Sequence, residues 1–423
     1  MESLAPSAPE VIAAVLFVIA VAHTFSTKFF ARLAYLQPRH AGLWHLLGEV
    51  EVVFGLWAFV LIAVLYLLSG KNAAVTYLEQ RSFTEPLFVL VIMVIAASRP
   101  ILHGVQALIR ATGRLLPVPT ARAVYFLCLC AVPLLGSLIT EPAAMTLAAI
   151  LLRDAFFANR LSERMQYVTL GVLLVNVSIG GTLTNFAAPP VLMVAASWQW
   201  DTAYMLTHFG WKSAVAVLVN AAVATAIFRH ELDAKALLEV DHGPRSSVPP
   251  LVTAVHLVFL VGVVVFAHHP VVFMGLFVFF LGFTEAYKRH QDPLFLREGL
   301  MVAFFLAGLV TLGGLQQWWL EFALRDVDAT ALYYIATALT AITDNAALTY
   351  LGSLVDGTTP EFKYALVSGA VTGGGLTVIA NAPNPAGFSI LKGYFRDQAI
   401  SPLRLFLAAS VPTCVAVIAF QCL

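Results

Sequence analysis

The sequence predicts an all-α integral membrane protein made of two inverted halves, with about ten transmembrane spans, two re-entrant hairpins and two broken helices. Three observations predict it. Hydrophobic residues make up 60% of the 423 residues, charged residues only 11%, and mean hydropathy is +0.85. A soluble domain is about 25% charged, so this chain must be solvated by lipid. Apolar runs of span length follow one another along the whole chain. In each half, two such runs are interrupted by polar, glycine and proline residues in the same order.

The first three spans read as about 8–27, 43–69 and 86–109. The N-terminal run lacks a basic leader and reads as a retained span, not a cleaved signal. A stretch at about 122–157 is interrupted at Thr140-Glu141-Pro142, a span at about 166–198 is rich in helix breakers, and a plain span follows at about 208–229. The second half repeats this series as 250–267, 270–287 and 298–320, then 329–356 interrupted at Thr343-Asp344-Asn345, a long broken span at 362–391, and a last span at 402–421. The expected organisation is therefore scaffold spans in 1–121, a hairpin and broken helix in 122–200, a connecting span in 201–230 and a cytoplasmic linker in 231–249. Scaffold spans return in 250–325, the second hairpin and broken helix in 326–392, and the last span in 393–423.

Charge tests the hairpins. If each interrupted stretch returns to its starting side, Lys71, Arg81, Lys212, Arg325 and Lys363 share one face, Arg99 lies within a span, and the remaining 18 of the 24 basic residues share the other face. The positive-inside rule then puts both termini on the non-cytoplasmic side. The formal net charge of zero points away from a nucleic-acid partner. Cys128, Cys130, Cys414 and Cys422 have neither metal-ligand spacing nor the pattern of a disulfide framework.

The interruptions carry the chemistry. Thr140-Glu141-Pro142-Ala143-Ala144 matches Thr343-Asp344-Asn345-Ala346-Ala347, and Gly180-Gly181-Thr182-Leu183-Thr184 matches Gly373-Gly374-Gly375-Leu376-Thr377. Asn185 stands four residues before Pro189, and Asn381 four before Pro385. Irregular backbone at membrane depth survives only where it lines a protein cavity. Pro142 keeps Glu141 from helical dihedrals, and Asp344-Asn345 are turn and cap formers. The glycines unwind the broken helices, and prolines without an N–H would free the carbonyls of Asn185 and Asn381. Glu141, Asp344, Asn345, Thr140, Thr343, Asn185, Asn381, Thr182, Thr184, Thr377 and Asn384 thus offer hard oxygens suited to a small inorganic cation such as Na⁺, with two carboxylates expensive enough at the midplane to imply function. Gly180, Gly181, Pro189, Gly373, Gly374, Gly375 and Pro385 are the helix breaks. Arg99 in the third span is expected to pair with Glu49 or Glu51 in the antiparallel second span and hold the scaffold together.

At these residues, within about 136–200 and 338–392, the sequence resembles the ion transporter superfamily, which includes arsenite transporters and divalent anion–sodium symporters. Within it, the resemblance is to the putative sodium–proton antiporter family. The resemblance implies a dimerising scaffold, a transport unit carrying both hairpins, and an elevator motion. Symporters of that superfamily carry Ser-Asn-Thr at the tips; acids here point to a cation instead. The expected function is Na⁺/H⁺ antiport by a homodimer in a bacterial inner (plasma) membrane, surrounded by lipid and without a cofactor. The alternatives are transport of an organic anion or arsenite, or an intramembrane acid-pair enzyme, which the tips without flanking glycines disfavour.

Overall fold

The computed structural model describes residues 6–159, 161–233, 248–324 and 327–423, and among these every regular element is helical. Most of the predicted linker, as well as Arg325 and the side chain of Glu51, lies outside the described residues. The first half comprises α1 (Ala8–Thr24), α2 (Thr27–Leu36), α3 (Ala41–Leu47), α4 (Val50–Glu79), α5 (Thr84–Ala96), α6 (Arg99–Leu115), α7 (Thr120–Leu129), α8 (Ala131–Ile139), α9 (Glu141–Ala155), α10 (Glu163–Gly180), α11 (Pro189–Trp198), α12 (Thr202–Met205), α13 (Trp211–Ile227) and α14 (Arg229–Asp233). The second comprises α15 (Pro250–Val265), α16 (Pro270–Ala286), α17 (Leu296–Gly313), α18 (Gln317–Leu324), α19 (Ala329–Thr340), α20 (Asn345–Ser353), α21 (Pro360–Gly373), α22 (Asn384–Leu391) and α23 (Pro402–Cys422).

Six stretches are long and apolar enough to cross a membrane alone: Val52–Glu79, Thr120–Ile139, Glu163–Leu183, Thr202–Ile227, Leu296–Gly313 and Pro402–Cys422. The bent pair α5–α6 makes a seventh, and five further apolar helices have 10–17 residues. The chain is therefore a multi-pass membrane protein. The third predicted span is corrected: it is two helices meeting at 61°. Ser98 adopts extended dihedrals and Pro100 sits in the first turn of α6, so the helix restarts there. Arg99 consequently opens a helix and does not lie inside a straight span.

Of the expected scaffold ion pair, the Glu51 side chain lies outside the described residues, and Glu49 takes a different partner. Glu49 accepts from Arg297 Nη2 at 2.6 Å, and Arg99 Nη1 stands 3.8 Å from Asp292. The bend carries Arg99 toward the loop before α17, while Glu49 precedes α4 near the start of α17. The scaffold is held mainly by packing. α4 and α17 run along one another so closely that a Cβ on Gly308 would overlap the backbone of Phe54 and Gly55. Gly308→Ala is expected to cost about 1–3 kcal/mol through overpacking, read as a lower thermal midpoint of the purified protein.

The remaining helices form a second group in which the halves interlock. α9 packs on α22, and α11 packs on α20. α10 crosses α21, where Ser178 Oγ donates to the Val371 carbonyl at 2.7 Å. Buried amides tie this group together: Asn176 donates to the carbonyls of Leu129 and Val217, and Asn220 donates to Asn176 Oδ1 and the Pro412 carbonyl. Buried polar groups survive in an apolar bundle only when satisfied in this way.

Candidate functional site

The site forms where the two interrupted stretches meet. At the first tip the helical path fails at Thr140, which has φ 73° and ψ 151°. Such a conformation costs a threonine about 1–3 kcal/mol. It allows α8 to end and α9 to begin at Glu141 with no intervening loop, so the carboxylate opens a helix whose N-terminus favours negative charge. Glu141 is fully buried; its Oε2 accepts from Asn381 Nδ2 at 2.8 Å, and its Oε1 has no partner.

The second tip is built differently. Asp344 is the N-cap of α20, and its Oδ1 accepts from the Ala346 and Ala347 amides at 2.8 and 3.1 Å. Asn345, the first residue of α20, is fully buried, and neither polar atom of its side chain has a partner. Its backbone N–H donates to the Ala380 carbonyl, which fixes it beside Asn381.

Glycines show which positions correspond. A Cβ on Gly181 would sit 2.7 Å from Glu141 Cγ and closer still to Oε1. A Cβ on Gly374, the matching glycine of the second half, would sit 2.9 Å from Asn345 Nδ2. Glu141 therefore corresponds to Asn345, and Asp344 takes the cap position held by Thr140. The pairing of Glu141 with Asp344 read from the sequence is off by one residue. The two acids are not equivalent: one is sealed inside and the other caps a helix. Asp344 precedes Asn345, whose backbone is bonded to the Ala380 carbonyl beside Asn381, the partner of Glu141.

Six residues concentrate unmet polar demand here. Thr140 Oγ1, Glu141 Oε1, Thr340 Oγ1, Asn345 Oδ1 and Nδ2, Asn381 Oδ1 and Asn384 Oδ1 are all buried without a hydrogen-bond partner. Each such group costs about 1–3 kcal/mol, so a concentration of them marks a place for a ligand. Six of the seven atoms are oxygens, the donors a hard cation selects. Among the described residues no three His, Cys, Asp or Glu side chains converge, and no Lys or Arg pairs with Glu141. A small cation bringing its own positive charge fits this set better than a transition metal.

A family model described as "Putative Na+/H+ antiporter" matches residues 9–423. The chain belongs to that antiporter family. No curated protein matches it. Membership agrees with a multi-pass protein that buries an acid, and it points to a transporter over an enzyme.

Not every residue read from the sequence of this antiporter-family protein reaches the cluster. Asn185 is tied elsewhere, donating to the Trp200 carbonyl and accepting from Thr202. Thr182 bonds the Ile179 carbonyl and Ser213, Thr184 donates to the Ser137 carbonyl, and Thr377 donates to the Ala341 carbonyl. The threonines at 184 and 377 thus stitch the helix breaks to α8 and to the end of α19. Thr343 donates to the Leu339 carbonyl within the tip. Asn384 Nδ2 bonds the Gly374 and Thr377 carbonyls, leaving Oδ1 for the cluster. Pro189 and Pro385 start the second half-helices. The Asn381 carbonyl is not freed, because it accepts from the Asn384 amide.

The remaining breakers are needed for close approach. A Cβ on Gly180 would strike the Pro133 carbonyl; one on Gly373 would strike Thr337, and one on Gly375 would strike Val175. Two contributors were missed in the sequence. Thr340 is the last residue of α19 and carries no motif. Ser137 accepts from the Leu183 amide and donates to the Gly180 carbonyl, satisfying the first unwound segment. Its position one helical turn before the Thr140 break was the only available signal.

Proposed function

We propose that this protein exchanges Na⁺ for H⁺ at the Glu141 cluster by alternating access. The carrying observation is the fully buried Glu141 carboxylate, half satisfied by Asn381 and half unpartnered among oxygen donors. A proton on Glu141 makes the site neutral. A Na⁺ held by Glu141 with Asn381, Asn345, Asn384 and the Thr140 and Thr340 hydroxyls also makes it neutral. An empty, ionised site is the costly state to carry through the bilayer, so one occupant must replace the other. That exclusivity is antiport.

Ten spans, two re-entrant hairpins, inverted repeats and an elevator-type movement complete the reading. Three features support it. Ser178 and Val371, which bond each other, hold the same place relative to their glycine pairs, as a two-fold axis between halves requires. The packing of α9 on α22 is mirrored by α11 on α20. Long-range polar contacts join only loops that the hairpin topology puts on one face: Arg122 with Asp233, Arg404 with Glu163 and Arg297 with Glu49 on the basic side, Gln317 with Asp356 and Lys363 over Trp198 on the other. Reading either hairpin as a single crossing would separate some of these partners by the bilayer. The same topology puts both termini outside the cytoplasm, and a homodimer through the scaffold fits an elevator.

The test is addition of Na⁺ to proteoliposomes holding an imposed pH gradient. Na⁺-evoked collapse of the gradient is expected, and anion uptake with no cation-evoked proton flux would overturn the reading. Asp344 permits a cleaner second experiment. Asn caps a helix as well as Asp does, whereas Ala loses about 1 kcal/mol. Asp344→Asn is thus expected to keep the thermal midpoint while lowering apparent Na⁺ affinity severalfold, and Asp344→Ala to lower both. Equal Na⁺ affinity in wild type and Asp344→Asn would remove Asp344 from the electrostatics of the site.

A further inference from the structure

Beside Asp344 lies a cavity of about 320 Å³ that ion exchange does not use. Phe17, Phe54 and Phe305 of the scaffold helices α1, α4 and α17 form one side. Leu339, Leu348 and Leu351 of α19 and α20 form the other. Among the described residues its lining is almost wholly apolar, with Asp344 the one acidic residue and no basic residue. A hydrated Na⁺ gains nothing from such walls. A cavity of this size with apolar walls and a single charged group has the form of a small-molecule site. Asp344 is held by the amides of α20, so its position does not depend on a ligand.

We propose that this cavity binds a protonated primary amine carrying a compact apolar body, with the ammonium at Asp344 and the body among the phenylalanines and leucines. Charge complementarity selects the amine over a neutral or anionic molecule of the same shape. The walls belong to both helix groups, so an occupant bridges them and opposes their relative movement. The binding claim stands apart from ion exchange and does not rest on it; the inhibition expected from bridging does.

The experiment compares 4-phenylbutylamine, 4-phenylbutanol and 4-phenylbutyrate as ligands of the purified full-length protein, using thermal midpoint shifts across a concentration series. A charge-assisted contact is expected to make the amine bind about tenfold tighter than the alcohol, with the carboxylate weakest. Asp344→Asn is expected to bring amine and alcohol within about twofold of each other. Leu348→Trp, which fills the cavity, should weaken both. Equal binding of amine and alcohol to the wild-type protein, or no binding by either, overturns the proposal without relying on any variant. In proteoliposomes the amine should slow ²²Na⁺ uptake. Binding without slowing would keep the site and remove only the bridging effect, and a failed antiport assay would leave the binding result standing.

Discussion

Glu141→Gln is expected to abolish Na⁺-evoked collapse of a pH gradient in proteoliposomes, with the rate falling at least about 100-fold. Gln keeps the size of the side chain, and its amide oxygen can still accept from Asn381 Nδ2, as Glu141 Oε2 does at 2.8 Å. It therefore leaves the packing intact and removes only the charge and the exchangeable proton. Losing one member of a buried charge pair is worth about 3–5 kcal/mol, and each 1.4 kcal/mol is about tenfold in affinity. The thermal midpoint should stay level or rise, because an unpaired buried carboxylate is itself destabilising. Exchange at the wild-type rate in this variant would place the coupling group elsewhere and sink the proposed site.

The second large effect comes from a residue with no chemistry of its own. Gly181→Ala puts a methyl group in steric overlap with Glu141 Oε1 and Cγ. The backbone there is helical, so strain in the dihedrals is not the problem. The collision is with the carboxylate, and relieving it means moving Glu141 off Asn381 or opening the break. Exchange is expected to fall by more than about tenfold, with an overpacking cost of about 1–3 kcal/mol. The shorter carboxylate of Glu141→Asp withdraws from the added methyl, so the double variant should recover part of the Na⁺ response lost in Gly181→Ala. An additive double variant, measured in the same flux assay, would mean that Gly181 serves only the bend.

The four interruptions were legible because breakers are local chemistry. Pro142, Gly180-Gly181, Asp344-Asn345 and Gly373-Gly374-Gly375 disfavour helix interior whatever surrounds them, and helices start or end at each. The bend at Ser98 was missed because the apolar run crosses it unbroken, and Pro100 at the start of a helix looks the same in sequence as a proline inside one. Asn185 and Asn381 share an identical context, Asn-x-x-x-Pro, but only Asn381 meets Glu141. Packing sets α22 against α9 and α11 against α20, so Asn381 meets Glu141. Asn185 instead found the Trp200 carbonyl close in sequence, a partner that the second half does not provide.

Composition and the order of breakers thus determined a multi-pass helical membrane protein with an acid at two of its interruptions. Those properties depend on transfer free energy and local dihedral preference, both of which a residue carries wherever it lies. Which oxygens were left without a partner was decided only by tertiary structure. A side chain's role there depends on the partners left to it after the helices pack. Thr182, Thr184 and Asn185 spend their hydrogen bonds on nearby backbone or side chains, whereas Thr140, Glu141, Thr340, Asn345, Asn381 and Asn384 keep atoms unmet. The one-residue offset that buries Glu141 opposite Gly181 and leaves Asp344 as a cap is of the same kind. It is set by where each returning helix starts, and neither motif states that by its letters.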